Sequence, residues 1–155
     1  MTEQTTQKKY ELLKDDTVEH FGRTLYRIKA LITFGLVGAG QLGGYIETEK
    51  NLDHSGNAWV YDNALVYDDA RVYGDALVRS FAVISERKMI FGASNVGSEN
   101  GTLTVFNGKY GLIVTRGCFT GTVDEFLSKS KEVHDDKTHH EYKLLIEVAQ
   151  SRILN

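Results

Sequence analysis

From Gly56 the chain runs GNAWVY, DNALVY, DDARVY, GDALVR, SFAVIS without a gap. Alanine recurs every six residues, at Ala58, Ala64, Ala70, Ala76 and Ala82. An aliphatic residue follows each alanine by two places: Val60, Val66, Val72, Val78 and Ile84. Positions two apart share one face of an extended strand. A six-residue period cannot keep its apolar residues on one side of a helix of about 3.6 residues per turn. The pattern therefore predicts very short strands joined by tight turns, with Asn57, Asn63, Asp69 and Asp75 as turn formers.

Three such units would close a triangular coil, stacking residues 18 apart in sequence at the strand spacing of about 4.8 Å. Val60 then stacks on Val78, Val66 on Ile84, Trp59 on Leu77 and Leu65 on Val83. Ala70 against Lys88 breaks the series, so the stack should end near residue 85. Extended backwards, the register sets Gly40 with Ala58, Leu42 with Val60 and Ile46 with Ala64. Thr48 and His54 fall where valine is wanted. The expected fold is mainly β, a short parallel β-helix of about three coils over residues 37–86 in a single domain, 1–155.

Residues 10–35 read as N-terminal strands that turn at Phe21-Gly22, and residues 87–121 as glycine-rich basic strands. Within the latter, Gly101 to Thr115 is expected to form a hairpin turning at Asn107-Gly108. Residues 122–155 carry two helical patterns, each opened by a capping box, Thr122 with Glu125 and Thr138 with Glu141. These flanks are expected to cover the open strand edges of the repeat.

A net charge of −3 argues against nucleic acid as the main partner. The lone Cys118 suits a reducing compartment and, by default, buried packing. No apolar run is long enough to span a bilayer, and Met1 to Gln7 lacks a signal core. The expectation is a cytoplasmic chain with a flexible tail over 1–8. Charge is unevenly spread: residues 51–86 carry a net of −4 and residues 87–116 a net of +3.

The unit Val60-Tyr61-Asp62-Asn63-Ala64-Leu65 resembles the hexapeptide-repeat proteins, which implies a left-handed β-helix. The stretch LGGYIETEKNLDHSGNAWVYDNALVY with the later GCFTGTVDEF is similar to a family of small proteins of tailed phages and prophages. That resemblance covers about Tyr10 to Ile153. It implies a phage or prophage origin and a host-cell cytoplasmic location, with no established chemistry.

Gly38-Ala39-Gly40-Gln41-Leu42-Gly43 matches the dinucleotide fingerprint by letter, but that motif needs a helix behind it. The adjacent Gly43-Gly44 and a turn by Asn51 leave no room for one, so the match is a decoy. His54 is the candidate general base if the chain is a hexapeptide acyltransferase, against the plainer reading of a polar residue in an imperfect coil. His134, His139 and His140 cluster in a helix link, where nothing makes them converge on a metal. No cofactor is called for.

Tyr61, Tyr67 and Tyr73 would lie on successive corners as a girdle, with Trp59 beside them on an outer wall and Asp62, Asp68 and Asp69 at the rim. That surface predicts a homo-oligomer, most simply a trimer. Arg79, Arg87, Lys88 and Arg116 are the anion-binding candidates. Three functions follow as expectations. The first is a non-enzymatic phage protein that binds and blocks a host factor such as a defence protein. The second is a sponge holding a nucleotide or other small anion between subunits. The third is the acyltransferase.

Overall fold

The structure is a computed structural model describing residues 8–154. Apart from Lys8, the tail expected over 1–8 lies outside the described residues. Strands β1 (Tyr10–His20) and β2 (Arg23–Ala30) form an antiparallel hairpin. Its turn is Phe21-Gly22, both at positive φ, where the sequence places it. β3 (Leu42–Ile46) pairs antiparallel with β2.

The repeat follows as strands of two residues each: β4 (Trp59–Val60), β5 (Leu65–Val66), β6 (Leu77–Val78) and β7 (Val83–Ile84). β4 pairs parallel with β6 and β5 with β7, placing Val60 against Val78 and Val66 against Ile84 as the period predicts. The five alanines of the repeat are between 0% and 7% exposed, and Val60, Val66, Val72, Val78 and Ile84 are fully buried. Both inward columns are therefore the core.

The expected parallel β-helix does not form. Strand order is β1-β2-β3-β5-β7 in one sheet and β4-β6 in a second, and the described residues close no solenoid. Most strand pairing in the chain is antiparallel. Two-residue strands supply few ladder bonds, so their edges are finished by longer antiparallel strands instead of by further coils.

The backward extension of the register also fails, by two residues. Ile46 pairs with Val66 and Leu52 bridges to Val72, each 20 residues apart. Leu52 fills the valine position, and the surplus lies between Leu52 and Val60, around His54. The predicted turn formers Asn57, Asn63, Asp69 and Asp75 lie in the turns and bends at the corners. Positive φ recurs every six residues at Gly56, Asp62, Asp68, Gly74 and Ser80, one place before the predicted turn formers. Gly56 is required twice over, because its φ is +75° and a Cβ there would meet the Gly74 carbonyl oxygen at 2.6 Å.

β8 (Ile90–Val96), β9 (Gly101–Gly108), β10 (Gly111–Arg116) and β11 (Phe119–Thr122) form a four-stranded antiparallel sheet. Gly108 pairs with Gly111, so the β9–β10 turn is Lys109-Tyr110 and not Asn107-Gly108. Asn107 instead donates its side-chain amide to the Val83 carbonyl (3.0 Å). Thr115 Oγ1 donates to the Leu77 carbonyl (2.7 Å) and the Lys109 amide to the Phe81 carbonyl (2.8 Å). These three donors satisfy carbonyls along the last level of the repeat.

Strand alternation gives this sheet two apolar faces. Phe106 and Ile113 join the repeat core, while Leu103, Val105 and Val114 meet helices α1 (Val123–Val133) and α2 (Asp136–Ile153). The sheet thus covers the repeat and the helices cover the sheet. Thr122 and Glu125 form the predicted capping box of α1. α2 starts earlier than expected: Asp135 is its N-cap and accepts from the Thr138 amide (2.8 Å), which leaves Glu141 to accept from the Gly97 amide.

Candidate anion-binding groove

Val72 is buried between Ala70 and Ala76, so strand alternation turns its neighbours Arg71 and Tyr73 outward. The Arg71 guanidinium contacts both Asp53 carboxylate oxygens, at 3.1 and 3.2 Å, and lies 5.4 Å from the Tyr73 ring centre. After β7 a 3-10 turn, Arg87–Met89, leads the chain away from this wall into β8. α2 packs on both that turn and β8, and its last turn supplies Arg152.

Wall, turn and helix end enclose a groove of about 380 Å³ lined by Arg71, Tyr73, Arg87, Ile90, Phe91, Gly92 and Arg152. A neighbouring recess of about 270 Å³ shares Arg71 and Arg87 and adds Lys50, Asp53 and Asp69. Four cations face two carboxylates across the pair. Asp53 already compensates Arg71, whereas Arg87 and Arg152 have no hydrogen-bond or ion-pair partner among the described residues. A guanidinium fork matches the oxygens of phosphate, and Tyr73, 60% exposed, offers a ring face beside it.

Of the four anion-binding candidates taken from the sequence, only Arg87 lies here. Arg79 stacks on Tyr61 at 5.0 Å and donates to the Gly117 carbonyl and Thr120 Oγ1, a structural use. Lys88 is exposed and lines neither recess, and Arg116 sits in a separate pocket. Arg71 is legible in the sequence as an outward residue, next to the inward Val72, but it stands in a run whose net charge is −4. Arg152 carried no signal at all, being an ordinary cation in a last helical turn.

The girdle is corrected. Trp59 is fully buried, with Tyr10 and Phe34 edge-on to it at 6.2 and 5.4 Å. Tyr67 is 8% exposed, packs with Leu25 and Tyr45, and hydrogen-bonds His20 at 3.2 Å. The first hairpin covers the wall that Tyr67 was expected to expose. Tyr61 is half-buried under Arg79, leaving Tyr73 as the exposed member of the three. Among the rim acids, Asp62 accepts from the Ser80 amide (2.8 Å), Asp68 pairs with Arg23 (3.2 Å) and Asp69 lines the smaller recess.

His54 has no free ring nitrogen. Nδ1 accepts the Lys9 amide at 3.1 Å, so Nε2 carries the proton it donates to Glu49 Oε1 at 2.8 Å. Both ring nitrogens are thus held, by the Lys9 amide and by Glu49. His139 contacts Ser130 Oγ, His134 lies against the Tyr142 ring and His140 is exposed. Among the described residues no three metal-binding side chains converge. Cys118 is exposed in its turn, contrary to the packing default. The Gly38–Gly43 stretch leads into β3 and not into a helix, in keeping with its reading as a decoy. A Cβ on Gly43 would collide with Ile28 and with the Val60 carbonyl.

No protein-family model matches the chain, and no curated protein matches it. Among the described residues no helix is long and apolar enough to cross a membrane.

Proposed function

We propose that this chain is a non-enzymatic binder of a small phosphate-bearing molecule of the nucleotide kind, held in the Arg71–Tyr73–Arg87–Arg152 groove. The observation that carries the reading is the pair of uncompensated guanidinium groups, Arg87 and Arg152, in one concavity with an exposed tyrosine ring. The groove lies within a single chain, so binding needs no second subunit. The phage or prophage origin implied by the resemblance fits a chain that acts by sequestering a host molecule.

The test begins with protein purified from its host, heat-released, with the supernatant examined by ultraviolet absorbance and mass spectrometry. Titration with adenine and guanine nucleotides then follows by calorimetry. A nucleotide should bind, and Arg87→Gln with Arg152→Gln should weaken it at least about tenfold, or about 1.4 kcal/mol. Higher salt should weaken it further, as expected for exposed charge pairing. Capture of an acidic protein with no small molecule bound, or affinity indifferent to the two substitutions, would overturn the reading.

A further inference from the structure

We propose a second anion site, independent of the groove, in which Arg116 anchors a single phosphate or carboxylate group carried on an apolar body. Arg116 is the last residue of β10, opposite Leu103 in β9 and Phe119 in β11. Its guanidinium lies against Gly101, where a Cβ would stand 2.7 to 2.9 Å from Cζ and both terminal nitrogens. Glycine at that position is what lets the charged group sink between the sheet and the helices.

The side chain is only 15% exposed, yet just one of its five N–H donors finds a hydrogen-bond acceptor among the described residues. Nε donates to the Tyr142 hydroxyl at 3.0 Å, and Tyr142 is itself fully buried. Among the described residues the sole carboxylate within ion-pair reach is Glu99, at 3.9 Å, with its own side chain 82% exposed. Such a contact compensates little of a guanidinium's desolvation.

Arg116 lines a cavity of about 210 Å³ at the end of α1. Lys129 and His134 approach from the helix side, with Phe119 and Val133 as apolar walls. The C-terminus of α1 opposes an anion there, but Arg116 and Lys129 outnumber Glu99 and lie on the same cavity. One oxyanion group fits this donor set, with an apolar body lying over Val133, which is 54% exposed.

The experiment uses the full chain carrying Arg87→Gln and Arg152→Gln, so that binding in the groove is weakened while the Arg116 site is untouched. Inorganic phosphate and benzoate are titrated separately while the Arg116 Nε–H resonance is followed by NMR. At least one probe should give a saturable shift, and which one does identifies the group. Lys129→Gln, a change at an exposed position, should weaken that probe about threefold or more, and Glu99→Gln should strengthen it by a similar factor. No saturable shift with either probe, or a shift indifferent to both substitutions, would leave Arg116 a purely structural residue and overturn the site.

Discussion

The His54 ring lies flat on the Tyr10 ring, centroids 4.1 Å apart and planes 9° from parallel. The contact exists because the segment between Leu52 and Val60 is two residues longer than a repeat unit. That surplus carries His54 out of the inward column and onto the strand that opens the fold. There it holds Glu49, whose carboxyl stays below the usual range chiefly through the hydrogen bond from His54.

His54→Ala should cost about 1 to 2 kcal/mol, since it leaves the Lys9 amide without its acceptor. The lowered Glu49 group contributes stability that is present above its ordinary value of 4.5 and lost as pH falls. The variant should therefore lose less stability on acidification than the wild type. Denaturant titrations at neutral and acidic pH check both statements, and parallel loss in the two proteins would disprove the second.

Lys9 is 1% exposed and donates its amine to the Ala58 carbonyl at 2.8 Å. Burial lowers it from 10.5 to about 8, against the opposing pull of Asp53. The unfolded chain then holds more protons than the folded one between those values, so stability should rise with pH through that window. Relative to Lys9→Met, the wild type should gain about 1 to 2 kcal/mol from neutral pH to about pH 9.5. The series stops short of the point where Tyr10, whose hydroxyl burial pushes above the usual range, begins to subtract stability.

Tyr67→Glu should cost about 3 kcal/mol, because it forces a carboxylate under the first hairpin. Tyr61→Glu, at a half-buried ring beside Arg79, should cost much less. Sedimentation of the folded fraction of each, compared with wild type, separates a packing role from an assembly role. A Tyr67→Glu protein of unchanged melting temperature and reduced mass would restore the tyrosine girdle as an interface.

Gly56→Ala should destabilise more than Gly74→Ala, although both glycines have positive φ. Gly74 would pay only the left-handed backbone term, about 1 kcal/mol, since nothing stands within 4 Å of its added Cβ. Gly56 would add a clash with the Gly74 carbonyl oxygen and should exceed that figure by about 1 kcal/mol or more. Thermal melts of the two single variants decide it, and equal losses would mean the two corners do not stack as described.

The six-residue period alone determined the two inward columns, alanine and valine, and how Trp59–Val60 and Leu65–Val66 pair with their partners, because inward alternation and strand stacking are local consequences of spacing, whereas the burial of Trp59 and Tyr67 came from the elements that cover the outer walls. It could not determine the architecture. Whether a stack of two-residue strands grows into a coil or is finished by antiparallel neighbours depends on which distant edges reach it. Here β2 with β3 on one side, and Asn107, Lys109 and Thr115 on the other, reach it first. The groove was hidden for the same reason. Arg71 and Arg152 are 81 positions apart, and only the docking of α2 against β8 and the 87–89 turn brings their charges to one concavity.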